Sequence, residues 1–195
     1  MRKKTGKSAG CSVIVLLSIL VGLAVYFMVG DGRQMILQMQ YPMNYREIVE
    51  KYAVQNDLDP YLVYAVIKTE SRFDTEAVSH AGAHGLMQLM EETAQDSAKK
   101  LKISVQLPED LHDPDKNVML GTCYLKSLLK SYDSLELALA AYNGGTGNVQ
   151  KWLKDETLSD GKGGLAQIPF EETEKYVKKV MHAYEQYKSL YGSEN

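Results

Sequence analysis

At 195 residues the chain has room for one good globular domain and not for two comfortable ones. Hydrophobic residues make up 45% and charged residues 24%, with little proline and no internal repeat, which excludes disordered, collagen-like and low-complexity classes. Arg2, Lys3, Lys4 and Lys7 crowd the N-terminus, and taking those four from 22 leaves 18 basic residues against 25 acidic ones. A body this acidic lacks the basic footprint of a nucleic-acid binder.

No residue between Lys7 and Asp31 is charged, and Ser12 to Val29 is nearly all aliphatic. At roughly 1.5 Å per residue, a helix over residues 8 to 30 crosses a hydrocarbon core of about 30 Å. A cleaved signal peptide is the alternative. Against it, the run exceeds the usual apolar region of about 7 to 15 residues, and no small-x-small site closes Tyr26-Phe27-Met28-Val29-Gly30. The basic flank predicts residues 1–11 as a cytoplasmic tail, 12–30 as a transmembrane signal anchor, and everything later on the outer face. Cys11 precedes the apolar run, so Ser8-Ala9-Gly10-Cys11 is not a lipoprotein processing box. With Cys123 expected across the membrane from Cys11, the exported domain has no internal disulfide.

Residues 31–44 read as a connector, and 45–192 as the folded domain. Ile48, Val49 and Tyr52 open it with a stripe at helical spacing. Asp59-Pro60 is an N-cap followed by an N1 proline, starting a helix that runs to about Arg72. Further helices are expected at about Glu91–Leu101, Asp115–Tyr132, Ser134–Tyr142, Gly147–Lys154 and Glu171–Tyr191. No segment alternates with period two, so the fold class is all-α.

On the Pro60 helix, Val63, Val66, Ile67 and Glu70 fall at i, i+3, i+4 and i+7, on one face, and Leu62 and Ala65 widen it. Glu70 thus extends a hydrophobic stripe near a helix C-terminus. Desolvation and the partial negative charge of that terminus both favour the protonated acid, the state a general acid for glycosidic cleavage requires. The alternative on this helix alone is an exposed glutamate at a frayed end, paired with Arg72 or Lys68.

Four blocks then follow in order. They are Glu70-Ser71-Arg72-Phe73 with Ser79; Gly82-Ala83-His84-Gly85-Leu86-Met87-Gln88-Leu89-Met90; Ala141-Tyr142-Asn143-Gly144-Gly145; and Ile168-Pro169-Phe170 with Glu172-Thr173 and Tyr176-Val177. Together they resemble the soluble-lytic-transglycosylase (SLT) family, relatives of goose-type lysozyme in the lysozyme-like superfamily. The resemblance covers about Tyr45 to Tyr191 and implies a lysozyme-like single catalytic domain behind the one N-terminal transmembrane helix. It implies Glu70 as the sole catalytic carboxyl, with Ser71, Ser79, Met87, Gln88, Tyr142, Asn143 and Tyr176 as the substrate-binding set. Each has a plainer reading: Met87 as core beside Leu86 and Leu89, Gly144-Gly145 as a helix C-cap, and Tyr176 as packing beside Val177, Val180 and Tyr184. Glu91 and Glu171 stand where the family often has proline, and both are expected in a helix's first turn. Asp113-Pro114, Asn117, Gly121 and Tyr124-Leu125 follow the family pattern and read as scaffold.

His80, His84, His112 and His182 lack metal-ligand spacing, and neither a metal nor another cofactor is expected. A two-carboxylate glycosidase needs a partner for Glu70. The nearby Asp74, Glu76, Glu91 and Glu92 match no catalytic position of the family. The resemblance therefore implies lytic cleavage of peptidoglycan glycan strands between N-acetylmuramic acid and N-acetylglucosamine, leaving 1,6-anhydro ends. The alternatives are a muramidase that uses water on the same bond and a non-catalytic anchor tying membrane to wall. The partners implied are peptidoglycan and, through the anchor, the cell membrane.

Overall fold

The computed structural model describes residues 8–192; the basic tail with Arg2, Lys3, Lys4 and Lys7 lies outside them. Two units separate, Met1–Pro42 and Met43–Asn195.

The first unit holds one helix, α1 (Ser8–Gln40). Val13, Ile14, Leu16, Leu20, Leu23 and Val25 stand exposed along it, and its length and composition suffice to cross a membrane. The helix does not stop where the apolar run stops. It continues to Gln40, through most of the segment expected as a connector. Arg33 to Gln40 contains only good or tolerable helix formers, and the first proline is Pro42, so nothing local ends the helix earlier.

The second unit is built of helices, with no strand among the described residues beyond isolated bridges. They are α2 (Arg46–Asn56), α3 (Pro60–Glu70), α4 (Glu91–Leu101), α5 (Pro114–Ser131), α6 (Leu135–Gly144), α7 (Thr146–Lys154) and α8 (Glu171–Tyr191). Their ends follow local chemistry. Asp59 accepts from the Tyr61 amide at 2.9 Å, Asp113 from that of Lys116 at 2.9 Å, and Ser134 from that of Leu137 at 3.2 Å. Glu91 and Glu171 are each the first residue of their helix. Gly145, at φ +83°, turns the chain between α6 and α7. Two helices depart slightly from expectation: α3 ends at Glu70 because Ser71 caps it, and α6 runs on to Gly144.

α3 is the centre of the unit. Leu62 to Ile67 are all buried, so it has no solvent face over nearly two turns. It packs against α8 and α2, while α5 packs against α2, α4 and α6, and α8 also covers α6. The Gly82–Met90 block lies in the irregular segment 72–90, in which His84 bridges to both Val78 and Leu89. Asn117, fully buried on α5, holds that segment in place. Its Nδ2 donates to the carbonyls of His84 (3.0 Å) and Leu111 (2.8 Å), and its Oδ1 accepts from the Met87 amide at 2.8 Å. Gly121, one turn on, lets the Met87 side chain lie against the helix; a Cβ there would come within 2.9 Å of Met87 Cβ.

Candidate active site

The chain turns sharply after Glu70. Arg72 (φ +54°) and Phe73 (φ +68°) are consecutive left-handed residues, and Gln88 (φ +47°) is a third across the segment. Such conformations cost roughly 1–3 kcal/mol each for non-glycine residues and persist where surrounding structure imposes them. Here the Ser71 hydroxyl does so. It donates to the Leu86 carbonyl at 2.8 Å and accepts from the Phe73 amide at 3.1 Å, tying the end of α3 to the loop.

Glu70 is the last residue of α3 and keeps only partial solvent access. Burial raises its carboxyl from the ordinary value of 4.5 to about 7, opposed by the Tyr176 hydroxyl, and no neighbouring carboxylate contributes. Asp74, Glu76, Glu91 and Glu92 are all exposed. The desolvation behind this value comes from close packing around the carboxyl rather than complete removal from water.

Two tyrosines flank Glu70. Tyr142 from α6 and Tyr176 from α8 stack with ring centroids 6.5 Å apart and planes 7° from parallel. Burial pushes both hydroxyls well above their ordinary range, and the neighbouring Glu70 adds to the effect. Their hydroxyls differ in use. Tyr142 donates to the Met87 carbonyl at 2.8 Å, so its proton is committed. The Tyr176 hydroxyl is buried without a geometrically sound partner, although it lies near enough to Glu70 to pull that carboxyl's pKa down. It is a buried donor beside the carboxyl.

The remaining expected residues divide. Asn143, half-buried, lines a cleft of about 500 Å³ with Gly144, Pro169, Phe170, Glu171 and Glu172. Gln88 folds its amide back, Nε2 donating to the carbonyls of Ala77 and Gly85 at 3.0 Å each. That leaves Oε1, an acceptor only. The Ser79 Oγ accepts from the Ala83 amide at 2.9 Å and closes the 79–83 turn. Met87 has a fully buried side chain, so what it brings to the site is its carbonyl. Of the histidines, His80 is exposed, and His84 Nδ1 meets His112 Nε2 at 3.3 Å under the same loop.

Two residues that the motifs leave as scaffold shape the site. Asn117 is the hub that fixes the Met87 backbone. Tyr124, whose ring lies 5.3 Å from that of Tyr142, extends the tyrosine pair into a row of three. Both sit on one stripe of α5, with Leu120 and Gly121 between them at i+3 and i+4. A buried amide on such a stripe was the available signal.

The transglycosylase SLT domain family matches residues 47–162. The soluble lytic murein transglycosylase of Escherichia coli K12 is 32% identical over 154 residues, covering 77% of this chain and 24% of that protein. The membrane-bound lytic murein transglycosylase C of Sodalis glossinidius is 37% identical over 115 residues, covering 54% of this chain and 32% of that protein. Among solved structures, an inactive glutamate-to-glutamine mutant of the lytic transglycosylase Slt from Pseudomonas aeruginosa superimposes with a TM-score of 0.70. It is 34% identical and covers 78% of this chain and 25% of that one. The chain thus spans about a quarter of the length of the soluble relatives it matches. By the family match and by the all-helical structure it shares with a solved relative, the chain belongs to the SLT transglycosylase family and has its lysozyme-like fold.

Proposed function

We propose that this protein is a membrane-anchored lytic transglycosylase that cleaves the glycan strands of bacterial peptidoglycan with Glu70 as its single acid and base. One observation carries the reading: a lone carboxyl, raised to about 7 by burial, stands where the family's motifs meet. Near neutral pH such a group is divided between acid and carboxylate, and one residue can serve both steps.

In the first step Glu70 gives its proton to the oxygen linking N-acetylmuramic acid to N-acetylglucosamine. The C1–O bond breaks and the bonding pair leaves with the oxygen. The positive charge at C1 is met by the sugar's own acetamido carbonyl. In the second step the Glu70 carboxylate takes the proton of the muramyl C6 hydroxyl, whose oxygen attacks C1 and closes the 1,6-anhydro ring. The nucleophile is already part of the reacting sugar, so its effective concentration is high and no second carboxylate is needed to hold a water. Tyr176 supplies a hydroxyl to the carboxylate that the first step creates. Asn143 offers both a donor and an acceptor to the sugars, whereas Gln88 offers only its carbonyl oxygen. Ser71, Ser79, Met87 and Tyr142 act by shaping the wall that the sugars touch.

Residues 12–30 are the transmembrane part of α1, residues 1–11 face the cytoplasm, and the domain from about residue 45 faces the wall. The basic N-terminal flank supports that orientation, and a relative named as membrane-bound supports attachment to a membrane. The test of the chemistry is Glu70→Gln, assayed on purified sacculi. A loss on the order of 10² to 10⁴ in rate, with folding intact, is expected for a missing acid–base group. Turnover close to that of the unaltered protein would remove Glu70 from the reaction.

A further inference from the structure

Two histidines that the proposed mechanism does not use meet beneath the segment 72–90. His84 Nδ1 lies 3.3 Å from His112 Nε2, with the rings edge to face at 83° and their centroids 5.3 Å apart. The other ring nitrogen of His112, Nδ1, faces the Thr75 carbonyl at 3.0 Å and the Glu76 carboxylate at 3.4 Å. A carbonyl oxygen can only accept, so Nδ1 carries the proton and, in the neutral ring, Nε2 is a bare lone pair beside His84. Both histidines are half-buried, so neither is sealed from solvent.

We propose that His84 and His112 form a two-point chelate for a transition-metal dication of the zinc class, which clips the middle of the segment to the start of α5. The spacing fits. Two nitrogens bound to one tetrahedral zinc at about 2.0–2.1 Å stand about 3.3 Å apart, the separation already present in this pair. The surroundings fit as well. A histidine that holds a metal commonly donates its other N–H to a carbonyl or carboxylate, which orients the ring, and Thr75 and Glu76 stand in that position behind His112. Binding relocates one proton: the neutral pair holds the His84 proton on Nδ1, between the rings, and it passes to Nε2 of the same ring when the metal takes both lone pairs. Imidazole favours zinc, copper and nickel, whereas magnesium and calcium prefer oxygen ligands. Among the described residues no third histidine, cysteine or carboxylate completes a cluster. Asp110 is taken by Lys116 and the Gln106 amide, and Asp113 by the Lys116 amide. Water therefore fills the remaining positions, and the affinity is modest. The clip acts on the fold because His84 pairs through its backbone with Val78 and Leu89, while His112 directly precedes Asp113, the N-cap of α5. A metal there stiffens the segment that carries Gln88 and the Met87 carbonyl.

The inference does not rest on the proposed function, and its test needs no turnover. Full-length, untagged protein in detergent micelles is melted with zinc or nickel chloride as the probe and magnesium or calcium chloride as the control. A metal that binds only the folded state raises Tm by mass action. At about 1 mM, zinc or nickel should raise Tm by about 3 °C or more, and magnesium or calcium by less than about 1 °C. His84→Ala and His112→Ala should each abolish the rise, whereas His80→Ala and His182→Ala, at exposed histidines elsewhere, should keep it. In the unaltered protein, zinc should shift the imidazole ¹⁵N resonances of His84 and His112 and leave those of His80 and His182 in place, a readout that stands even where a variant fails to fold. A rise no larger with zinc and nickel than with magnesium would overturn the site. So would a rise that survives the loss of either His84 or His112, or resonance shifts confined to the exposed histidines.

Discussion

Glutamine at position 70 keeps the shape of the side chain and removes its charge, and the consequence for stability can be worked out. Burial raises the carboxyl from 4.5 to about 7 in the folded protein, while in the unfolded chain it stays at the ordinary value. The folded state therefore binds the proton more tightly. Stability from this group is fully present below the ordinary value and is lost as pH rises through about 7. At about 1.4 kcal/mol per pH unit, the gap amounts to about 3 kcal/mol. That is a ceiling, since Glu70 keeps partial solvent access. Glutamine does not ionise, so Glu70→Gln escapes the loss. At roughly 2–4 °C per kcal/mol for a domain of this size, the variant should melt roughly 5–10 °C above the unaltered protein at about pH 8.5. The difference should vanish at about pH 4, where both side chains are neutral. Calorimetry of the two proteins across that range is the assay. A difference in Tm that does not grow with pH would refute the claim that Glu70 is held neutral by burial.

Tyr176→Phe removes the hydroxyl that lowers the Glu70 carboxyl. The alkaline limb of the pH–rate profile should start near 7 in the unaltered protein and move to higher pH in the variant; an unmoved or lowered limb contradicts the assigned contact. Asn117→Ala cuts three buried hydrogen bonds and strands their partners. At about 1 kcal/mol each, urea unfolding should show a loss of about 3 kcal/mol or more, and a loss under about 1 kcal/mol would deny Asn117 its role as hub. Protease added to intact spheroplasts should digest the domain after residue 44 and spare α1; protection of the whole domain would reverse the proposed orientation.

Much of this molecule is legible in the sequence, because its helices announce themselves by cap and period. Asp59-Pro60 and Asp113-Pro114 start α3 and α5 where expected, and the Val63–Ile67 stripe that points Glu70 inward is buried as its spacing predicts. Three things were not legible. The helix through residues 31–40 carries no stop signal until Pro42, and the end of an apolar run is not itself a helix terminus. The path of residues 72–90 depends on long-range bonds from Asn117, Ser71 and Tyr142, none of which leaves a periodic trace. The availability of individual polar atoms is also invisible in one dimension. Gln88 spends its amide hydrogens on its own loop and Tyr142 its hydroxyl on Met87, so residues that look equivalent in a motif differ in what they can offer a sugar.

The product of the reaction tests the account most directly. A hydrolase places water at the anomeric carbon, commonly with a second carboxylate, and burial alone accounts for the raised value of Glu70. If the muramyl C6 hydroxyl is the nucleophile, digested peptidoglycan yields muropeptides ending in 1,6-anhydro-N-acetylmuramic acid. Mass spectrometry then finds each lighter by one water than its hydrolysed counterpart, unchanged by borohydride and free of ¹⁸O after digestion in labelled water. Ends that are reducible by borohydride and carry ¹⁸O would identify a muramidase and contradict the single-carboxylate mechanism.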